Sequence, residues 1–67
     1  MDKDYFRYVC STQKKTFDDV AKALGINVST LYRKMSGESD FTRNEIQIIR
    51  DALYLSIADV EKIFFAA

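Results

Sequence analysis

The segment from Thr16 to Gly37 contains two short stripes of apolar residues, each with helical spacing, on either side of Gly25. The first stripe repeats at i, i+3, i+4 and i+7 and consists of Phe17, Val20, Ala21 and Leu24. The second repeats at i, i+3 and i+7 and consists of Val28, Leu31 and Met35. Apolar residues at these intervals share one face of an α-helix. The segment therefore predicts two short amphipathic helices joined at a glycine turn, the pattern of a helix-turn-helix.

Three pairs of residues predict where helices begin. Each is a Ser or Thr followed three residues later by an acidic residue, the pattern of a capping box. The pairs are Thr16 with Asp19, Thr42 with Glu45 and Ser56 with Asp59. Asn27 precedes the second stripe, and its side chain can accept a hydrogen bond from the first turn of a helix. With the apolar periodicity, these signals predict helices over about residues 4–12, 17–24, 28–36, 43–53 and 57–65.

A chain of 67 residues without proline is expected to form a single all-α domain. Of the three helices outside the two stripes, the one at residues 4–12 is apolar nearly all round, and the other two each have an apolar face. We expect these helices to bury Phe6, Val9, Cys10, Ile46, Ile49, Leu53, Ile57, Val60 and Phe64, with Tyr5 as a further candidate.

Several function classes are disfavoured by composition. Cys10 is the only cysteine and histidine is absent, which excludes an internal disulfide and argues against a metal site. The chain has no glycine-rich phosphate loop and no nucleophile–base pair, so we expect neither a cofactor nor an enzyme. It also has no apolar run of membrane-spanning length and no signal peptide pattern, so we expect a cytoplasmic protein that does not contact a membrane.

The formal net charge is zero, but the charges are unevenly distributed. Residues 14–34 contain five basic and two acidic residues and therefore carry +3. Residues 38–67 contain three basic and six acidic residues and therefore carry −3. Such a dipolar domain can turn its basic side towards a polyanion, although the same charges can also simply solvate helix surfaces.

The stretch VAKALGINVSTL at residues 20–31, followed by DFTRNE at residues 40–45, resembles the lambda repressor and Cro class of helix-turn-helix domains. In its short length the chain is similar to the small Cro-like proteins of Gram-positive phages. Ala21 and Gly25 match the alanine and glycine of the family's motif. The resemblance implies a five-helix lambda-repressor-like domain that binds DNA with the helix at residues 28–36.

Two positions depart from the family's pattern. Met35 and Cys10 stand where the family often pairs a glutamate with an arginine, so an apolar contact is expected instead. Glu38 and Asp40 stand in a loop where the family often has basic residues, which lowers the expected affinity for DNA.

The resemblance implies base contacts from the start of the recognition helix, at Val28, Ser29, Tyr32 and Arg33. Arg33 can form a bidentate pair with guanine, worth about 1–3 kcal/mol of discrimination. Val28 can pack on a thymine methyl group or belong to the core. Tyr32 can reach a phosphate or lie on the protein surface. The expected phosphate contacts are Lys14, Lys15, Thr16, Thr30, Lys34 and Arg43.

A DNA-binding domain of this size needs a second copy, bound with it to a palindromic operator in double-stranded DNA. The expected homodimer interface is the apolar C-terminal run of Ile63, Phe64 and Phe65, although Phe65 can instead fold back over the first helix. The leading hypothesis is a transcriptional repressor that occludes a promoter. The alternative is an antirepressor-type module on the same fold that binds another regulator, which the zero net charge and acidic loop favour.

Overall fold

The computed structural model describes residues 1–65 and contains five α-helices. They are α1 (Lys3–Thr12), α2 (Phe17–Leu24), α3 (Val28–Ser36), α4 (Arg43–Leu53) and α5 (Ile57–Phe64), and no strand occurs in this range. The expected all-α architecture is therefore confirmed. None of these helices is long and apolar enough to cross a membrane.

The three predicted capping boxes are all formed. In each, the Ser or Thr side chain accepts a backbone N–H at 3.0–3.1 Å, and the acidic side chain accepts the N–H of the cap residue at 2.8–3.1 Å. The pairs are Thr16 with Asp19, Thr42 with Glu45 and Ser56 with Asp59. Each box satisfies N–H groups that have no partner inside the helix, and so defines where the helix begins.

Two other helix starts differ from expectation in detail. Asn27 is the N-cap residue of α3, as predicted, but its side chain makes no capping hydrogen bond; its carbonyl accepts from the N–H groups of Thr30 and Leu31. The first helix starts one residue earlier than expected, because the Asp2 carboxylate accepts a 3.0 Å hydrogen bond from the N–H of Tyr5.

The core draws at least one side chain from every helix. Its members are Phe6, Val9, Cys10, Val20, Ala21, Leu31, Met35, Ile49, Leu53, Leu55 and Ile63. Four of the nine residues expected to be buried on α1, α4 and α5 fall outside this set: Val60 and Phe64 are half-buried and pack against it, and Ile46 and Ile57 do not belong to it. Ile46 is only half-buried, and Ile57 is 64% exposed. The buried face of α5 is centred on Ile63, and a residue six positions away lies about 120° around a helix, which turns Ile57 outwards.

Contacts between the two ends of the chain join α1 to α5. The N–H of Asp2 donates to the carbonyl of Ile63 at 2.9 Å, and the Tyr5 hydroxyl donates to Asp59 at 2.6 Å. The hydrogen bond from Tyr5 lowers the pKa of Asp59, with further hydrogen bonds from Ser56. The first helix is thus held against the last.

Helices α2, α3 and α4 end at residues with positive φ. Gly25 (φ 71°) and Gly37 (φ 94°) adopt this left-handed conformation easily, whereas Tyr54 (φ 52°) does so with a side chain. For a residue with a Cβ atom the conformation costs about 1–2 kcal/mol. Tyr54 is 83% exposed, so little packing compensates for the strain there.

We predict that Tyr54→Gly raises the free energy of unfolding by about 1 kcal/mol, because it relieves this backbone strain. Gly25→Ala, at a position with open space for a Cβ atom, should lower it by a similar amount. Urea denaturation followed by circular dichroism measures both. A loss of stability in Tyr54→Gly would contradict the inference that the backbone at Tyr54 is strained.

Candidate nucleic-acid interface

The turn between α2 and α3 holds these two helices in contact. The N–H of Ile26 donates to the carbonyl of Ala21 at 3.0 Å, and Gly25 supplies the left-handed residue. Leu31 and Met35 anchor the inner face of α3 in the core. The opposite face of α3 is consequently turned towards solvent.

Three of the four predicted base-contacting residues share that outer face. Ser29, Tyr32 and Arg33 are exposed and spaced at i, i+3 and i+4. In residues 1–65 the Arg33 guanidinium makes no hydrogen bond and no ion pair, so it is available to a ligand. Val28 is half-buried and packs against the core, which favours the core interpretation for that residue.

An aromatic contact connects the outer face of α3 to the start of α2. The ring of Tyr32 meets the ring of Phe17 edge-on, with centroids 6.0 Å apart and an interplanar angle of 81°. The Arg7 guanidinium lies 5.7 Å from the centroid of the same Phe17 ring. Tyr32 remains 52% exposed. Its ring therefore leans on the protein while much of the side chain still faces outwards.

A small cavity of about 210 Å³ extends this surface between α1 and α2. Arg7, Lys15, Thr16 and Phe17 line it. Sequence reasoning missed Arg7, because its proximity to Phe17 depends on how α1 packs and no local pattern indicates it. We use the name basic face for Arg7, Lys15 and Thr16 around this cavity together with Ser29, Tyr32 and Arg33 on the outer face of α3.

The electrostatics at the start of α2 are mixed. Thr16 and Lys15 bring a hydroxyl and a positive charge, and the helix N-terminus favours anions. Asp19 opposes them: hydrogen bonds from the backbone and side chain of Thr16 lower the pKa of Asp19 and keep its carboxylate charged. Asp18 is exposed beside it. The attraction for a phosphate at this end is therefore moderate.

Lys34 is engaged inside the protein, which corrects its assignment as a phosphate contact. Its ammonium donates to Glu45 Oε1 at 3.0 Å and to the carbonyl of Asp40 at 3.0 Å, and its side chain is only 10% exposed. Partial burial alone would raise the pKa of Glu45. Hydrogen bonds from Thr42 and Lys34 outweigh that effect, so the pKa of Glu45 is lowered. Lys34 therefore ties α3 to the following loop and to α4.

The other predicted phosphate contacts stay predictions. Lys14 is exposed and has a left-handed backbone (φ 56°) in the loop before α2. Thr30 is half-buried on α3. Arg43 is exposed in the first turn of α4, where it lines a groove with Arg50.

The C-terminal apolar run divides into three different environments. Ile63 has no exposed surface, so it cannot contribute to a dimer interface, and that part of the prediction is wrong. Phe64 is half-buried between Phe6 and Phe41, with ring centroids 6.3 and 5.2 Å away. Phe65 is 66% exposed, which contradicts the alternative in which it folds back over the first helix.

Cys10 occupies an apolar site and is 2% exposed. Desolvation raises the pKa of its thiol to about 11, so the thiol is protonated at neutral pH. In residues 1–65 no three His, Cys, Asp or Glu side chains come together in a way that could hold a metal ion. Comparison of the chain with protein-family models, curated proteins and solved structures gives no match.

We predict that Lys34→Met lowers the free energy of unfolding at pH 7 by about 1–2 kcal/mol, because it leaves Glu45 without its charged partner. The loss should shrink in acid. The pKa of Glu45 is lowered in the folded state, so its contribution is present above its unfolded pKa and disappears as the pH falls through the folded pKa. Urea denaturation at pH 7 and at about pH 3 measures both effects.

Lys22→Met is the matched control, because Lys22 is exposed on α2 and makes no ion pair within the described residues. It should leave stability nearly unchanged at both pH values. An equal loss in the two variants, or a loss in Lys34→Met that persists undiminished in acid, would show that the ion pair does not stabilise the fold.

Proposed function

We propose that the protein binds double-stranded DNA sequence-specifically as a transcriptional regulator, with α3 in the major groove. The observation that carries this proposal is the outer face of α3, where Ser29, Tyr32 and Arg33 are exposed together. Leu31 and Met35 hold the inner face of α3 in the core. A helix fixed in this way can present side chains to base edges in a defined register. The lambda repressor and Cro resemblance of residues 20–31 supports the same function.

Arg33 is the principal base-reading residue in this proposal. Its guanidinium is unpaired in residues 1–65 and can donate two hydrogen bonds to guanine O6 and N7. Ser29 lies one turn earlier and can donate or accept, so it discriminates less. Tyr32 is positioned against Phe17 and extends the contact surface towards the sugar–phosphate backbone.

Phosphate contacts come from the part of the basic face around α2. Arg7, Lys15 and Thr16 line one cavity, and Lys14 directly precedes Lys15 in the loop. These contacts fix the orientation of the protein without reading sequence. Because one copy offers few phosphate contacts, the protein acts as a homodimer on a palindromic operator. In this proposal it represses transcription by occluding a promoter, as a phage Cro-like repressor would. It therefore resides in the cytoplasm, at the bacterial nucleoid.

We predict that Arg33→Ala weakens binding to a single half-site of the preferred sequence by about 5- to 150-fold, which corresponds to the loss of one bidentate base contact of about 1–3 kcal/mol. The preferred site is first obtained by selecting bound sequences from random duplexes. Fluorescence anisotropy then measures the affinity. The variant should also lose its preference at one base-pair position in each half-site.

Lys3→Ala is the charge-matched control, because Lys3 is exposed at the start of α1 and lies outside the basic face. It should bind within about twofold of the parent protein. Lys15→Ala should weaken binding to all sequences alike and reduce the slope of log affinity against log salt by about 1. If Arg33→Ala binds the selected site as well as the parent does, the proposed role of α3 is wrong.

A second candidate function is an antirepressor-type module that binds another regulator. The acidic loop residues Glu38 and Asp40 and the exposed ring of Phe65 favour it. The two functions differ at low ionic strength. A DNA-binding protein binds duplex DNA there with a steep salt dependence, whereas an interaction module shows no binding.

A further inference from the structure

A groove of about 350 Å³ lies between α4 and α5, away from the residues of the basic face. Four apolar side chains, two arginines and one glutamine line it: Phe41, Ile46, Val60, Phe65, Arg43, Arg50 and Gln47. Phe41, Ile46 and Val60 are half-buried, and Phe65 is 66% exposed. The groove therefore leaves apolar surface open to solvent between two positive charges.

The two arginines of the groove lack carboxylate partners. Residues 38–65 contain six acidic side chains, yet the ion pair formed in the described part of the chain joins Glu45 to Lys34 and includes neither Arg43 nor Arg50. Arg50 is also half-buried. A partly desolvated guanidinium gains more from an added carboxylate than an exposed one does. The groove is thus suited to an apolar partner that carries a negative charge.

The outer surface of α5 supplies such a partner within the same chain. Ile57 is 64% exposed, Glu61 is exposed one turn later, and the exposed Phe65 follows at the end of the helix. Residues four apart lie on the same side of a helix. In residues 1–65 the Glu61 side chain makes no hydrogen bond or ion pair. This stripe places one carboxylate between two apolar side chains.

We infer that the α4–α5 groove and the α5 stripe are the two halves of one self-complementary interface between copies of this chain. Phe65 belongs to both halves, so groove and stripe form a continuous patch, as an interface related by a two-fold axis requires. Across that axis Phe65 and Ile57 of each copy cover the partner's groove, and Glu61 of each copy pairs with the partner's Arg50. The buried Ile63 takes no part.

The occupant is a second copy because stripe and groove match in both chemistry and charge. Exposed apolar side chains meet the apolar floor, and an unpaired carboxylate meets an unpaired guanidinium. The dimer strengthens on DNA, where two half-sites hold both copies together. The inference rests on the proposed function for its biological purpose, but its test does not need DNA.

The test is sedimentation equilibrium of the intact protein over micromolar to millimolar concentrations at moderate salt. The parent protein should dimerise. Phe65→Ala, Arg50→Glu and Glu61→Arg should each raise the dissociation constant at least tenfold. The double variant Arg50→Glu with Glu61→Arg should restore dimerisation, because it exchanges the two charges. Tyr8→Ala, which removes an exposed aromatic ring on α1, should dimerise as the parent does.

Circular dichroism of each variant confirms that the monomer is folded. If Arg50→Glu unfolds, Glu61→Arg and Phe65→Ala carry the test, because both of those positions are exposed. A parent protein that stays monomeric at the highest concentration overturns the inference. So does a dimer that survives Phe65→Ala and Glu61→Arg, or a charge exchange that fails to restore pairing in a folded protein.

Binding to a single half-site, measured by anisotropy at low salt, separates this inference from the proposed function. A protein that binds the half-site but never dimerises contradicts the inference alone. A protein that dimerises through this patch but binds no DNA contradicts the proposed function alone.

Discussion

A chain of aromatic contacts centred on Phe6 links α1 to α2, α3, α5 and the loop before α4. Phe6 has no exposed surface and stacks on Phe17 of α2 at 5.4 Å. On its other side it meets Phe64 of α5 at 6.3 Å, which in turn meets Phe41 in the loop before α4 at 5.2 Å. Phe17 also contacts Tyr32 of α3. Because aromatic side chains bury large areas, these five rings add to the aliphatic packing of a small domain.

The same chain of rings separates two surfaces of different chemistry. At one end, Tyr32 and Phe17 support the basic face, with Arg7 over the Phe17 ring. At the other, Phe41 lines the groove between α4 and α5 together with Phe65. The proposed DNA contact and the proposed contact between copies are therefore distinct surfaces, so one copy can use both at once.

The charge that reaches solvent differs from the charge counted along the sequence. Residues 14–34 carry a net charge of +3, but Lys34 forms an ion pair with Glu45 inside the fold. Asp18 and Asp19 further weaken the positive potential at the start of α2. Arg7, which lies outside that segment, compensates by joining the basic face. The specificity proposed for α3 thus depends more on Arg33 than on the total charge.

The candidate site could be predicted where a local pattern defined it and not elsewhere. The exposure of Ser29 and Arg33 follows from the apolar stripe that buries Leu31 and Met35 on the other side of the same helix. Arg7 and Lys34 could not be assigned in this way. The contact of Arg7 with Phe17 spans ten residues of sequence, and that of Lys34 with Glu45 spans eleven. Both depend on the packing of separate helices.

The sequence by itself determined the helices, because their signals are interactions between residues three or four apart. Thr16 with Asp19 is such a pair, and its hydrogen bonds form wherever the first turn of a helix forms. Tertiary structure alone decided which apolar residues face inwards at the edges of those helices. Ile57 and Ile63 have the same chemistry, but the packing of α5 against α1 buries Ile63 and exposes Ile57. The spacing of apolar residues along a helix defines the direction of its buried face, around the helix axis, only to within tens of degrees. The packing of the neighbouring helices fixes that direction.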